Sequence, residues 1–178
     1  QSLGVSFWYK TNNGGLADYD TLFSLLLYDA TAPVLTASPG YFKNALVIHH
    51  RTDALPGSLQ LLFEGFGTST GKQVRTPAIA LDVWHHVFAY IVNPNSSSSY
   101  AHLFIDGVEY TALRHNYGNF EFEGTISAIR IGKNREPVSA DSTSNITTSD
   151  IYVSTNPDFQ NHLNAYYTNT NIPTASYD

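Results

Sequence analysis

The chain has no cysteine and no methionine among its 178 residues. The first absence excludes a disulfide framework and thiol chemistry, although a domain of this size can still be secreted and stand on its core alone. Charge is also scarce, at 13% of residues, and nine basic against fifteen acidic side chains leave a net charge of −6. No basic run or stripe exists that would track phosphates, so nucleic acid is not expected as a partner. Apolar runs are short. Runs such as Leu25-Leu26-Leu27-Tyr28 have strand length and fall far below the roughly 20 residues of a membrane-spanning helix, so no membrane insertion is expected. There is no fixed-period repeat, and residues 96–99, four serines, form the one low-complexity patch.

What is present is β-pattern. A hydrophobic share of 42% supplies a core for a single domain, residues 1–178. Val5, Phe7 and Tyr9 alternate with Ser6, Trp8 and Lys10, and Leu59, Leu61 and Phe63 alternate with Gln60, Leu62 and Glu64. Each set marks a strand with one apolar face. Residues 23–28 and 45–48 are apolar on both faces, as in strands covered on two sides. Turn signals recur at close intervals: Asn13-Gly14-Gly15, Ser38-Pro39-Gly40, Leu55-Pro56-Gly57, Gly71-Lys72, Asp106-Gly107 and Tyr117-Gly118-Asn119. That spacing predicts antiparallel meanders in an all-β, two-sheet sandwich. Residues 93–99 and 133–148 read as polar surface loops. One short C-terminal helix is predicted, with Asn156 as N-cap, Pro157 at its first position and an apolar stripe of Phe159, Leu163, Tyr166 and Tyr167.

The segment Asp82-Val83-Trp84-His85-His86-Val87-Phe88-Ala89-Tyr90, followed by Leu103-Phe104-Ile105-Asp106-Gly107-Val108, resembles the "W-H-H-V-A" strand and "L-Y-I-D-G" hairpin of the laminin G-like branch of the concanavalin A-like jelly rolls. Val5-Ser6-Phe7-Trp8-Tyr9-Lys10-Thr11, Ala128-Ile129-Arg130-Ile131-Gly132, Ser149-Asp150-Ile151-Tyr152-Val153 and the segment from Asn156 to Tyr166 are similar to further elements of that family, in family order. The resemblance implies an antiparallel jelly-roll sandwich with a ligand-binding loop rim. Family members carry one or two strands ahead of the first of these elements. The absence of methionine and the start at Gln1 therefore suggest a piece processed or excised from a longer polypeptide, lacking its first strand or strands.

Catalytic patterns are sparse. Laminarinase-type hydrolases of similar architecture carry an E-x-D-x-E strand, and the nearest match, Glu121-Phe122-Glu123, lacks the third acid. No G-x-S-x-G elbow exists. The pairs His49-His50 and His85-His86 cannot chelate one metal by themselves, because adjacent strand residues point to opposite faces; a zinc site would need partners from neighbouring strands, such as His102 beside His86. The sequence assigns no metal ligand. The family resemblance admits Ca²⁺ at the loop rim, to which Asp29, Asp53 and Asp141 would contribute.

Aromatics are plentiful: twelve Tyr, ten Phe and two Trp. The resemblance places Trp8 and Trp84 in the core. Tyr41, Tyr100 and Tyr117 lie beside turns, where a ring can stack on a sugar or a protein partner, and with Asn93 and Asn119 they form the expected ligand-binding set. Asn95 and Asn145 head N-x-S/T sequons and are candidate glycosylation sites. The expected function is a non-catalytic extracellular recognition module, not an enzyme, that binds a glycan or surface protein. The alternative is a structural subunit, such as a virion decoration or surface-filament protein, that binds neighbouring copies. Either would sit outside the cell, on a cell surface or on a virion surface.

Overall fold

The computed structural model describes residues 2–12, 20–28, 42–51, 57–64, 71–94, 96–116, 125–132, 146–162 and 167. These residues form eleven strands: β1 (Ser2–Thr11), β2 (Thr21–Tyr28), β3 (Phe42–Arg51), β4 (Ser58–Glu64), β5 (Gly71–Ala78), β6 (His85–Val92), β7 (His102–Ile105), β8 (Val108–Glu109), β9 (Leu113–Asn116), β10 (Thr125–Ile131) and β11 (Ile146–Ser154). They pair antiparallel in two sheets, one of five strands in the order β11-β1-β6-β7-β8 and one of six in the order β10-β2-β3-β4-β5-β9. The chain is therefore an all-β, two-sheet jelly-roll sandwich, as the alternation and turn spacing predict.

The strands form because their apolar positions recur every second residue, so that one register buries a whole face. Val5, Phe7 and Tyr9 of β1 meet Phe23, Leu25 and Ile48 of the facing sheet within one buried cluster. Phe7 and Phe23 stack across it with ring centroids 5.4 Å apart. Each such side chain stabilises the fold by about 2 kcal/mol relative to an exposed one. The Asp106-Gly107 turn between β7 and β8 has φ of 51° and 78° at its two residues, the left-handed pair that a two-residue hairpin requires. A Cβ at Gly107 would also crowd the Tyr167 ring at 2.9 Å.

One sequence expectation needs correction. Trp8 is buried but lies outside the inter-sheet core: it projects from the outer face of the five-stranded sheet, against His86 and Tyr167. Its even position in β1, opposite in phase to Val5, Phe7 and Tyr9, forces this. Trp84 precedes β6 and is half-buried. The predicted C-terminal helix is present, with a 3₁₀ segment over Pro157–His162. Asn156 does cap it, with Oδ1 accepting from the Asp158 amide at 2.9 Å, and Phe159 stacks on Phe88 at 4.7 Å. Leu163 and Tyr166 lie outside the described residues.

Candidate functional site

In an antiparallel pair, residues directly opposite each other project from the same face. On the six-stranded sheet His49 lies opposite Gln60, Gln60 opposite Arg75, and Arg75 opposite Leu113. The adjacent row runs from Leu62 to Gln73 to His115. These side chains alternate with the core residues Ile48, Leu61 and Val74, so they occupy the outer face. A strand pattern that is apolar inside and built of His, Arg and Gln outside is what the sequence carries at these positions.

The polar face is ordered by one amide. Gln60 Oε1 accepts from Arg51 Nη1 at 2.7 Å, and Gln60 Nε2 donates to Gln73 Oε1 at 2.6 Å. Because a guanidinium only donates, the amide orientation is fixed. His49 Nε2, 3.0 Å from the same Oε1, must then be the protonated ring nitrogen. His49, Arg51 and Gln60 are buried, Gln73 and Arg75 are half-buried, and His115 is exposed. The row therefore opens to solvent at its β5–β9 side. A hollow of about 310 Å³ adjoins that edge, lined by Arg75, Pro77, Glu109, Tyr110 and Leu113 among others. Guanidinium and amide donors on one face suit a carboxylate, and an imidazole beside them can move a proton.

A second polar group sits inside the sandwich at one end. Tyr9 and His85 of the five-stranded sheet face His50 of the other, with Tyr9 ring centroids 5.8 Å and 6.1 Å from the two imidazoles. His85 Nδ1 bonds Asp106 Oδ2 at 2.6 Å, and its Nε2 bonds the Ala80 carbonyl at 2.9 Å. Burial favours a neutral His85, but the Asp106 hydrogen bond and charge outweigh it and raise the imidazole pKa. Burial likewise opposes ionisation of Asp106, yet its bonds from His85 and the His86 amide hold the carboxyl below its ordinary value. His50 is lowered to about 4, first by burial and then by the neighbouring His49 and His85. Burial, reinforced by the Asp106 charge, pushes the Tyr9 hydroxyl far above the tyrosine range. Tyr9, His50 and His85 are buried, whereas the Asp106 side chain is partly exposed.

The histidine pairs split across the sheets as strand geometry demands: His49 outside and His50 inside, His86 outside and His85 inside. His102 does not join His86. It lies opposite Tyr90 in β6, stacked on that ring at 4.5 Å. Among the described residues no group of three or more His, Asp or Glu side chains converges to hold a metal ion.

Of the ligand-binding set expected from sequence, the structure places two. Asn93 is exposed with φ of 50°, and its carbonyl accepts from the Ser96 amide and the Ser99 hydroxyl, closing the loop turn. Tyr100 is 47% exposed, with the Arg114 guanidinium 5.7 Å from its ring centre. Tyr41, Tyr117, Asn119, Asn95 and Asn145 lie outside the described residues, as do Glu121, Glu123, Asp29, Asp53 and Asp141. Sequence reasoning passed over the His49–Arg51–Gln60–Gln73–Arg75 face. The signal was there as alternate polar residues in three consecutive strands, but it is visible only once the strand register is known.

Neither a protein-family model nor a curated protein matches the sequence. Solved structures do. A Trypanosoma rangeli sialidase in complex with a difluoro-KDN ligand matches with TM-score 0.57 at 12% identity, over 85% of this chain and 20% of that one. The same organism's sialidase in complex with sialic acid matches with TM-score 0.56 at 13% identity, over the same shares of each chain. An endo-β-1,4-glucuronan lyase from the fungus Trichoderma reesei matches with TM-score 0.57 at 10% identity, over 88% of this chain and 69% of that one. This chain thus spans about a fifth of the length of the sialidases. The shared fold is the concanavalin A-like jelly roll.

These likenesses overturn the expectation of a non-catalytic module or structural subunit that is not an enzyme. The folds this chain matches come from proteins named as sialidases and a polysaccharide lyase. The missing E-x-D-x-E strand disposes of one hydrolase pattern only, and catalysis on this fold does not depend on it.

Proposed function

We propose that this chain is a carbohydrate-active domain that engages an acidic polysaccharide on the outer face of its six-stranded sheet, at the β5–β9 side. The observation that carries this reading is the amide-centred row of His49, Arg51, Gln60, Gln73 and Arg75, half-open at Gln73 and Arg75, with exposed His115 opposite Gln73. The sugars named for the matching structures support it, since sialic acid and glucuronan both carry a carboxylate.

In this reading Arg75 and the Gln73 amide bind and neutralise a uronate carboxylate, which acidifies the hydrogen on the adjacent ring carbon. His115 takes that proton, the bond from C4 to the leaving glycosidic oxygen breaks, a C4–C5 double bond forms, and the leaving oxygen takes a proton from solvent water. The buried His49–Gln60–Arg51 network holds Gln73 in place beneath. The laminin G-like resemblance of the segments around Trp84 and Asp106 remains our reading of the branch within the fold. An extracellular or cell-surface setting, where such polysaccharides occur, belongs to the same proposal.

Incubation with polyglucuronate tests it. The unsaturated uronide absorbs in the ultraviolet, and the rate of its appearance should fall at least tenfold in Arg75→Ala with the melting temperature unchanged. No absorbance change with polyglucuronate or alginate in the wild-type protein would remove the lyase reading.

A further inference from the structure

A second surface, on the outer face of the five-stranded sheet, has the make-up of a binding site that the proposed activity does not use. Tyr90 of β6 lies opposite His102 of β7, and their rings stack nearly parallel, 9° apart in plane and 4.5 Å between centroids. Phe104 lies beside Tyr90 at 6.2 Å and 18°. All three are half-buried, and Tyr90 and Phe104 rest on the buried Phe88, which meets them edge-on. The rings are thus locked by packing yet partly open to solvent.

At the β8–β9 side of these rings stands a charge pair used asymmetrically. His102 Nδ1 and the Arg114 guanidinium both bond the same oxygen of Glu109, Oε1, the former at 2.7 Å. Among the described residues these bonds all go to Oε1, which leaves the second carboxylate oxygen, Oε2, as an acceptor. Arg114 in turn sits over the exposed ring of Tyr100. The Tyr90 hydroxyl lies within electrostatic reach of both Glu109 and Arg114, which act on its ionisation in opposite directions after burial.

We propose that Tyr90, Tyr100, His102, Phe104, Glu109 and Arg114 form a binding surface for a neutral glycan, on the sheet opposite the face that takes the acidic chain and meeting it at the hollow that Glu109 shares with Arg75. Aromatic rings supply the apolar contact that the C–H face of a pyranose requires, and fixed rings lose little rotamer freedom on binding. Carboxylate and guanidinium side by side accept from and donate to vicinal hydroxyls. Their charges cancel locally, so the surface offers no net attraction to a carboxylate-bearing sugar and selects the uncharged class. On a carbohydrate-active domain such a surface would keep the protein on a mixed polysaccharide while the opposite sheet reacts.

The test is nuclear magnetic resonance titration of the ¹⁵N-labelled protein with a panel of neutral gluco-, manno- and galacto-oligosaccharides, with oligoglucuronate in parallel. We expect at least one neutral oligosaccharide to shift the amides of residues 88–90, 100–104 and 109–114, with a Kd in the roughly micromolar to millimolar range of shallow sites. Tyr100→Ala and Glu109→Gln should each weaken it about tenfold, Tyr100→Phe should retain it, and Arg75→Ala should leave it unchanged. Both Tyr100 and Glu109 are surface side chains, so loss of fold does not confuse the result. The proposal is overturned if no neutral sugar shifts these amides, if Tyr100→Ala and Glu109→Gln bind as the wild type does, or if oligoglucuronate occupies the same residues. None of these outcomes depends on whether the protein cleaves polyglucuronate.

Discussion

His85 Nδ1 lies 2.6 Å from Asp106 Oδ2, a contact that helps tie the start of β6 to the turn between β7 and β8. The other carboxylate oxygen accepts from the His86 amide at 2.8 Å, while the Asp106 amide donates to the His86 carbonyl at 3.0 Å. Asp106 therefore latches the two sequence segments that stand out most in the chain. Asp106→Ala removes three roles together: the left-handed turn residue, the imidazole partner and the amide cap. A loss of about 3 kcal/mol is expected, since a buried donor left without its partner costs roughly 1–3 kcal/mol, and the turn adds to that. Urea unfolding measures it. Asp106→Asn, which tolerates the left-handed φ, should lose less.

Acid should weaken the fold between about pH 6.5 and 4. His50 and His86 are both lowered to about 4 by burial. Each is neutral in the folded chain where the unfolded chain already binds a proton, so the unfolded state takes up more protons as pH falls through this window. Stability is full above the unfolded pKa of 6.5, declines toward the folded value and is flat below it. Each histidine accounts for roughly 3 kcal/mol at 1.36 kcal/mol per pH unit. His85, raised by Asp106, acts the other way: its stabilising charge is fully present below 6.5 and is lost as pH rises through its folded pKa. Melting temperatures across this range should fall with acid in the wild type and fall less in His50→Leu.

Lys72 holds the serine loop from inside. Its side chain is fully buried, and its ammonium donates to the carbonyls of Ser96 and Ser99 and to Asn116 Oδ1, at 3.0, 2.7 and 3.0 Å. Burial lowers its pKa, and three oxygens take the place of water. Lys72→Met should destabilise by about 2–3 kcal/mol and speed hydrogen exchange in residues 96–99, because it strips charged hydrogen bonds from these acceptors. Equal exchange in the two proteins would show that the loop holds itself.

The sandwich was legible because alternation in Val5, Phe7 and Tyr9 and in Leu59, Leu61 and Phe63 is a local signal that survives without the register. The Asp106-Gly107 hairpin was legible for the same reason. The placement of Trp8 was not: an aromatic at an even position looks apolar in the sequence, but its phase puts it on the outer face, where Tyr167 and His86 cover it. The polar face of the six-stranded sheet was invisible because His49, Gln60 and Arg75 come from three strands and become neighbours only through pairing. Tyr100 was legible as an exposed ring, whereas its link through Arg114 to Glu109 and His102 is long-range.

The most direct test of the central claim is the initial rate of unsaturated-uronide formation from polyglucuronate by the wild-type protein, Arg75→Ala and His115→Ala, with folding checked by melting. Turnover is expected in the wild type, with a weaker apparent affinity in Arg75→Ala and a lower maximal rate in His115→Ala with its affinity retained. Absence of turnover in the folded wild type, or full activity in both variants, would contradict that claim.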